Sequence, residues 1–550
     1  MSGVPDAAPP AGSAPGRAAG GSVARQAGKV SAATFLSRVF GLVRDQVFAA
    51  LFGAGTAADA FNMAFRVPNL VRDLFAEGAM SASFVPTFTQ WREREGDAAA
   101  WALGRQLMST LLAVLLGLCA LGWLFAPQIL ALMAGGFRAV PGKLELSVDL
   151  TRLMLLFLPA VALAAAAMGM LNARGVFFLP ALAPALLNVG MVVFGLALIP
   201  VCRAIGWPAI AAMAIAVVLG GLLQFACQLP ALARLGFRFR LEWPTWHPGV
   251  RRVAMLMLPA TVGLAATQLN VFVSQAIAAS FREGSVSWLQ YAFRLMQLPI
   301  GLFGVAVATV SLPALSRAAV REDLAGVRAM LSESVRLVFL LTVPAALWLA
   351  VFANPVLALL FQHGRFVAGD TAATAQALVM YCIGLPAFAA VGIFTRAFYA
   401  LGDTRTPVRS TFIAVGVNLG LNLLLIGPLA GLGLAHRGLA LATSVTSVAN
   451  LALLALWLRR RLGRVDGARM LASLARIAAA SVVAAALARA ALGPLADASS
   501  EPVLVRAAIV AAGGLAWLAL HALLLRLFRV EELTMLVDAA RAVRDRFRAR

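Results

Sequence analysis

Residues 59–77 read DAFNMAFRVPNLVRDLFAE, and this stretch decides what kind of fold the chain can have. Asp59, Asn62, Arg66, Asn69, Asp73 and Glu77 follow one another at spacings of 3, 4, 3, 4 and 4. A helix therefore puts all six on one stripe and leaves Phe61, Met63, Ala64, Phe65, Val67 and Leu70 around it. Taken alone, that is a surface helix of a soluble protein. The rest of the chain excludes that reading, because 61% of its 550 residues are hydrophobic and 13% are charged. A soluble chain of this size cannot enclose so much apolar surface, so lipid is part of its solvent and the stripe is a row of polar groups inside a membrane protein.

Working outward, runs of about 20 largely apolar residues, the length a bilayer-crossing helix needs, recur along the chain. Fourteen spans are expected, near 31–52, 59–90, 103–126, 150–171, 177–200, 207–230, 253–278, 286–315, 333–353, 373–400, 410–428, 438–458, 470–493 and 503–525. The fold class is an all-α integral membrane protein. Forty-six basic against 24 acidic residues give a net charge of +22, and Lys29 and Lys143 are the only lysines. In a soluble chain this excess would suggest nucleic acid; here it reads as loop charge and attraction to membrane lipid, and no nucleic acid partner is expected. With a cytoplasmic N-terminus, the even-numbered connections carry the clusters Arg92 and Arg94, Arg234 to Arg252, Arg317 to Arg328 and Arg459 to Arg469, and the tail 526–550 carries seven more. Both termini are therefore expected on the cytoplasmic side. The first 28 residues have no apolar core that could serve as a signal peptide, and are expected to form a disordered cytoplasmic extension. Cys119, Cys202, Cys227 and Cys382 lie far apart with no CxxC spacing and read as packing residues.

The chain also resembles itself. Ala64-Phe65-Arg66 recurs as Ala292-Phe293-Arg294, Val85-Pro86 as Leu312-Pro313, and the stretch from Pro127 as that from Pro355. Leu158-Pro159-Ala160 recurs as Leu385-Pro386-Ala387, and Pro180 as Pro407, always at an offset of 227 or 228. A unit of six spans is even, so both copies enter the membrane in the same sense; this predicts two six-helix lobes related by a parallel repeat, with a central cavity. The expected domains are the N-terminal lobe 29–230, the C-terminal lobe 231–460, two additional helices in 461–525 and the basic cytoplasmic tail.

An ionised side chain costs about 2.5–3.5 kcal/mol at a helix centre, so Arg38, Arg44, Arg66, Arg72 and Arg294 cannot face lipid together. They are the expected substrate-binding residues, with Asn69, because a guanidinium fork binds phosphate oxygens bidentately and keeps its charge in a partly dry cavity. Asp45, Asp59, Asp73 and Glu77 are the expected coupling or structural partners. A purely internal network, for example Arg66 with Asp73 or Arg72 with Asp59, is the competing reading. Pro68 and Pro299 flank the charged stretches and are candidate hinges. His247, His363, His436 and His521 are dispersed, and no nucleophile, metal cluster or phosphate loop stands out, so no enzyme, no metal and no cofactor is expected. The internal duplication argues for a functional monomer rather than a channel assembled by subunit symmetry.

The run SRVFGLVRDQVFAALFGAGTAADAFNMAFRVPNLVRDLFAEGAMSASFVPTF (37–88) resembles the N-terminal signature of the MurJ/MviN family, lipid II flippases of the multidrug/oligosaccharidyl-lipid/polysaccharide exporter superfamily. YAFRLMQLPIGLFGVAVATVSLPALS (291–316), LFQHGRF (360–366) and FYALGDTRTPV (398–408) are similar to later family blocks. The resemblance implies transfer of the undecaprenyl-pyrophosphate-linked disaccharide-pentapeptide, lipid II, from the cytoplasmic to the periplasmic leaflet of the bacterial inner membrane by alternating access. It also implies a groove by the last two helices for the lipid tail; cell-wall synthesis or division proteins are candidate partners of the chain. The family's cavity arginines fall on Arg38, Arg44, Arg72 and Arg294, with acidic partners at Asp45, Asp59 and Glu77. A sodium site argued for some relatives uses a carboxylate in the seventh span; 253–278 holds no Asp or Glu, so a sodium mechanism is not expected here, although Asn418 and Asn422 offer neutral oxygens. A flippase for another polyprenyl-linked glycan is the chemical neighbour of this reading. A drug/cation antiporter of the same superfamily is the rival, and would be expected to hold negative charge where this chain holds arginine.

Overall fold

The computed structural model describes residues 16–75, 79–245, 247–426, 428, 431, 433–463, 465–496 and 501–534, and every regular element among them is helical. In chain order the helices begin with α1 (Gly16–Phe52), α2 (Thr56–Phe75), α3 (Ala79–Met133), α4 (Lys143–Met154), α5 (Phe157–Ala173) and α6 (Phe178–Ala204). They continue with α7 (Ile210–Ala226), α8 (Leu229–Arg234), α9 (Pro248–Ala278), α10 (Ser285–Pro299), α11 (Val305–Val320) and α12 (Leu324–Val351). The last six are α13 (Ala353–Phe361), α14 (Ala368–Ala400), α15 (Arg405–Ile426), α16 (His436–Leu462), α17 (Gly467–Ala496) and α18 (Val503–Leu527).

Among the described residues, ten helical segments are long and apolar enough to cross a membrane. The other four expected spans, 31–52, 59–90, 253–278 and 286–315, fall on α1, on α2 with the start of α3, on α9, and on α10 with α11. The span expected at 59–90 is not one helix: α2 stops at Phe75 and α3 starts at Ala79. Arg66, Arg72 and Asp73 keep α2 from reading as a plain apolar span. The span at 286–315 is interrupted by a π-helical turn at Ile300–Gly304. Pro299 explains the place of that turn, since it has no N–H for the carbonyl one turn back and its ring crowds that carbonyl, so the ladder shifts register. α1 reaches back to Gly16, inside the stretch expected to be disordered; the Ala-rich run 18–33 favours helix, and residues 1–15 lie outside the described residues.

The chain divides into two compact units. Unit 1 comprises the chain up to Arg44, Phe75–Leu118 and Leu156–Met257; unit 2 comprises Asp45–Leu74, Cys119–Leu155 and the chain from Leu258 on. Phe84, Phe88, Trp101, Leu103, Met108, Met170, Phe225 and Phe237 form the centre of the first unit's apolar core. Beside it α6 and α7 touch backbone to backbone: a Cβ at Gly220 would lie 2.8 Å from the Leu187 carbonyl oxygen, and one at Gly190 would lie 2.9 Å from the Gly220 Cα. Small residues at such a crossing let two helices gain dispersion contacts where lipid supplies no hydrophobic drive.

In the second unit α10, α12, α14 and α16 pack together, with α17 on α12 and α18 on α17. The end of α1 is seated on the loop between α13 and α14. The Arg365 amide donates to the Ala50 carbonyl at 2.9 Å. Gly53 (φ 65) and Gly364 (φ 58) meet there in left-handed conformations, and a Cβ on either would run into the facing backbone. Beyond α18, Glu532 is 2% exposed and pairs with the equally buried Arg336 of α12, while residues 535–550 of the basic tail lie outside the described residues.

Candidate functional site

The polar stripe lies on α2 as its spacing requires, and its neighbours in the second unit are α4, α9 and α10. Asp59, 1% exposed, receives Lys143 Nζ at 2.9 Å, the Gly284 amide at 2.8 Å, and the Ser287 amide and hydroxyl at 3.0 and 2.7 Å. One turn on, Asn62 Nδ2 donates to Ser287 Oγ at 3.0 Å. The carboxylate thus accepts from the open N-terminus of α10, where backbone N–H groups and the helix dipole favour an anion. Glu283 repeats the pattern in reverse, accepting from the amide and hydroxyl of Thr56 at the start of α2, at 2.6 and 2.5 Å.

Further along the stripe the partner is α9. Arg66 Nη2 donates to Gln268 Oε1, and Gln268 Nε2 donates to Asp73 Oδ2 at 2.9 Å. Asp73 Oδ1 accepts from Arg72 Nη2 at 2.8 Å. Neither internal pair suggested by the sequence forms. Arg66 and Asp73 are seven residues apart, about 10 Å along the helix, so an amide from the facing helix bridges them. Asp59 stands about 20 Å along the helix from Arg72 and takes Lys143 instead. Arg66 Nε and Asn69 Oδ1 are buried with no hydrogen-bond partner among the described residues. Arg294 of α10 stands 3.1 Å from Asp45 Oδ2, its side chain 39% exposed.

In the first unit Arg44 Nη1 donates to Asn188 Oδ1 at 2.9 Å, and Asn188 Nδ2 donates to the Ser37 carbonyl at 3.3 Å, so a polar residue of α6 orients α1. Arg38 is exposed on α1. Pro68 sits buried inside α2, and Pro299 closes α10 at the π turn. Glu77 lies outside the described residues. The structure thus joins Asp59, Asn62, Arg66 and Asp73 to α4, α9 and α10, Arg72 to Asp73, and Asp45 to Arg294.

Sequence reasoning missed Lys143, Asn188, Gln268, Ser287 and Glu283. Asn188 and Gln268 left a signal, as uncharged polar residues within apolar runs. Lys143 left none, since it reads as one of several scattered loop charges.

Also in the second unit, α12, α18 and the π turn border an open apolar pocket of about 420 Å³ lined by Phe303, Pro344, Trp348, Trp517, Leu518 and His521. No cluster of three or more His, Cys, Asp or Glu that could hold a metal is present among the described residues.

Ten apolar spans, with arginines and carboxylates braced on helices outside that set, define a polytopic membrane protein that carries charge within its helical body. Its particular lineage follows from comparison with known proteins. The model of the family described as lipid II flippase MurJ matches residues 48–496, and the chain belongs to that family. It is 38% identical over 438 residues to the lipid II flippase MurJ of Burkholderia cenocepacia, covering 78% of this chain and 83% of that one. To the probable lipid II flippase MurJ of Vibrio cholerae it is 38% identical over 435 residues, covering 77% and 81%. A solved structure of lipid II flippase MurJ in an inward closed conformation superposes with a TM-score of 0.73 at 25% identity, covering 90% of this chain and 98% of that one. An inward-facing multidrug resistance MATE transporter of the MOP superfamily shares the fold at a TM-score of 0.65 and 14% identity, covering 78% and 96%.

Proposed function

We propose that this protein moves lipid II from the cytoplasmic to the periplasmic leaflet of the bacterial inner membrane by alternating access, as a monomer with both termini in the cytoplasm. The observation that carries the reading is Arg66 on α2, held by the neutral Gln268 amide with its Nε buried and unpartnered among the described residues, in a chain of this family. A guanidinium held by an amide keeps its charge for an incoming phosphate. Arg66, Arg72, Asn69 and Arg294 are the second unit's assigned contacts to the pyrophosphate, and Arg38 and Arg44 are the first unit's. Asp45 and Asp73 hold arginines ready and release them when the pyrophosphate arrives. Asp59 closes α2 and α4 onto α10, and that junction opens in the other half of the cycle, with Pro68 and Pro299 as the bending points.

Fourteen spans arranged as two six-helix lobes from a parallel repeat would give the alternation its geometry, and the remaining two, α17 and α18, would border the lipid tail. The apolar pocket against α18 suits a hydrocarbon chain. A drug/cation antiporter would share the fold, but a surplus of inward arginine repels its substrates. Cell-wall synthesis or division proteins are the proposed partners of the basic tail.

The test is binding of lipid II to the purified protein by native mass spectrometry, with undecaprenyl monophosphate as comparator. Lipid II should be retained more strongly, and Arg72→Ala and Arg294→Ala should each lower its occupancy by about tenfold or more, as expected for losing a charge-assisted bidentate contact. Equal retention of both lipids, unchanged by either variant, contradicts the arginine site.

A further inference from the structure

The segment between α8 and α9 carries none of the residues assigned to the pyrophosphate. Its described residues form no helix, yet one edge of it is fixed to α3. Phe237 is 2% exposed and meets the Trp101 ring at 5.5 Å, and Phe239 meets Phe225 edge-on at 5.5 Å. Glu242 accepts from Arg105 Nε and, at 2.9 Å, from Gln106 Nε2, and its own amide donates to Ser109 Oγ at 3.0 Å. The Thr245 amide and hydroxyl both donate to Gln106 Oε1, at 3.1 and 3.0 Å. The Arg105 hydrogen bond holds the Glu242 carboxyl below the usual carboxylate range, so the carboxylate stays ionised and the anchor stays closed well below neutral pH.

The other edge points outward. Arg234, Arg238, Arg240, Arg251 and Arg252 are all exposed. Between them Leu241 is 59% and Trp243 87% exposed. Glu242 is the one carboxylate from 234 to 252, and α3 has taken it, so no acid offsets the five guanidinium groups within the segment. The segment directly follows the membrane span Ile210–Arg234, which sets it at a bilayer edge. Arginine alternating with large apolar side chains at that level is the composition of a surface that sits in headgroups, not in water.

We propose that residues 234–245, with Arg251 and Arg252, form a docking strap for anionic phospholipid headgroups, with Arg238 and Arg240 taking the phosphates and Leu241 and Trp243 seated at the upper ends of the acyl chains. Charge complementarity selects this partner, and the braced backbone means that little order has to be gained on binding. The site is separate from the pyrophosphate contacts, and its test does not depend on transport.

The test uses the full chain in nanodiscs of mixed phosphatidylglycerol and phosphatidylcholine, with bromine on the acyl chains of one lipid or the other. The difference between wild type and Trp243→Phe isolates the fluorescence of Trp243. Bromine on phosphatidylglycerol should quench it at least about twofold more than the same bromine on phosphatidylcholine, and the Arg238→Ala/Arg240→Ala double variant should erase that preference while eluting as a folded monomer. Equal quenching from both lipids, or none from either, overturns the proposal. Displacement of brominated phosphatidylglycerol by undecaprenyl pyrophosphate also overturns it, because the strap would then be a substrate site.

Discussion

Asp59 takes four hydrogen bonds from α4 and the start of α10 while 1% exposed, and its counter-charge Lys143 is 2% exposed. Removing one member of such a pair strands a buried charge, at a cost of about 3–5 kcal/mol, whereas replacing both by apolar residues costs much less. Asp59→Asn is therefore expected to lower the detergent unfolding temperature sharply, and adding Lys143→Met should recover most of the loss; equal loss in both variants contradicts the pairing. Gln268 makes the opposite case, a neutral group whose role is orientation. Gln268→Leu should reduce lipid II retention several-fold with a smaller loss of unfolding temperature than Asp59→Asn, and Gln268→Glu, which pairs with Arg66 but cannot donate to Asp73, should not restore it. The stripe from Asp59 to Asp73 was legible because a period of three and four identifies a helix face without any partner. Lys143 was not, because its partner lies 84 residues away in sequence and nothing local distinguishes it from a loop charge.

At the level of elements, hydropathy located ten spans because lipid imposes a length and a composition on a helix that crosses it. It read 59–90 and 286–315 as unbroken, since a register shift at Pro299 and the stop at Phe75 leave no mark in apolar content. Nor did it find the break between α4 and α5, where Leu155 and Leu156 are as apolar as the helices they separate. The α6–α7 crossing depends on glycine in a way that hydropathy cannot register. Gly220→Ala puts a Cβ against a backbone carbonyl and should cost about 1–3 kcal/mol of overpacking, read as a lower unfolding temperature. Gly416→Ala on α15, where nothing lies within 4 Å, should be neutral or stabilising through helix propensity. Similar losses at both positions contradict the close crossing.

For the molecule as a whole, the class of protein followed from composition and the family from residues 37–88, and both rest on features that do not need a partner to be read. The way unit 2 draws on 45–74 and 119–155 was not legible, because it is set by contacts between stretches hundreds of residues apart, such as Asp59 with Ser287 and Ala50 with Arg365. The central claim is that the arginines carry lipid II across the membrane. The most direct measurement depletes the protein in its own host and asks whether a toxin that cleaves lipid II in the periplasm still finds its substrate. Cleavage should fall on depletion and return with the wild-type chain, but not with Arg44→Ala or Arg294→Ala expressed to the same level. Undiminished cleavage on depletion, or full rescue by both variants, would contradict the account.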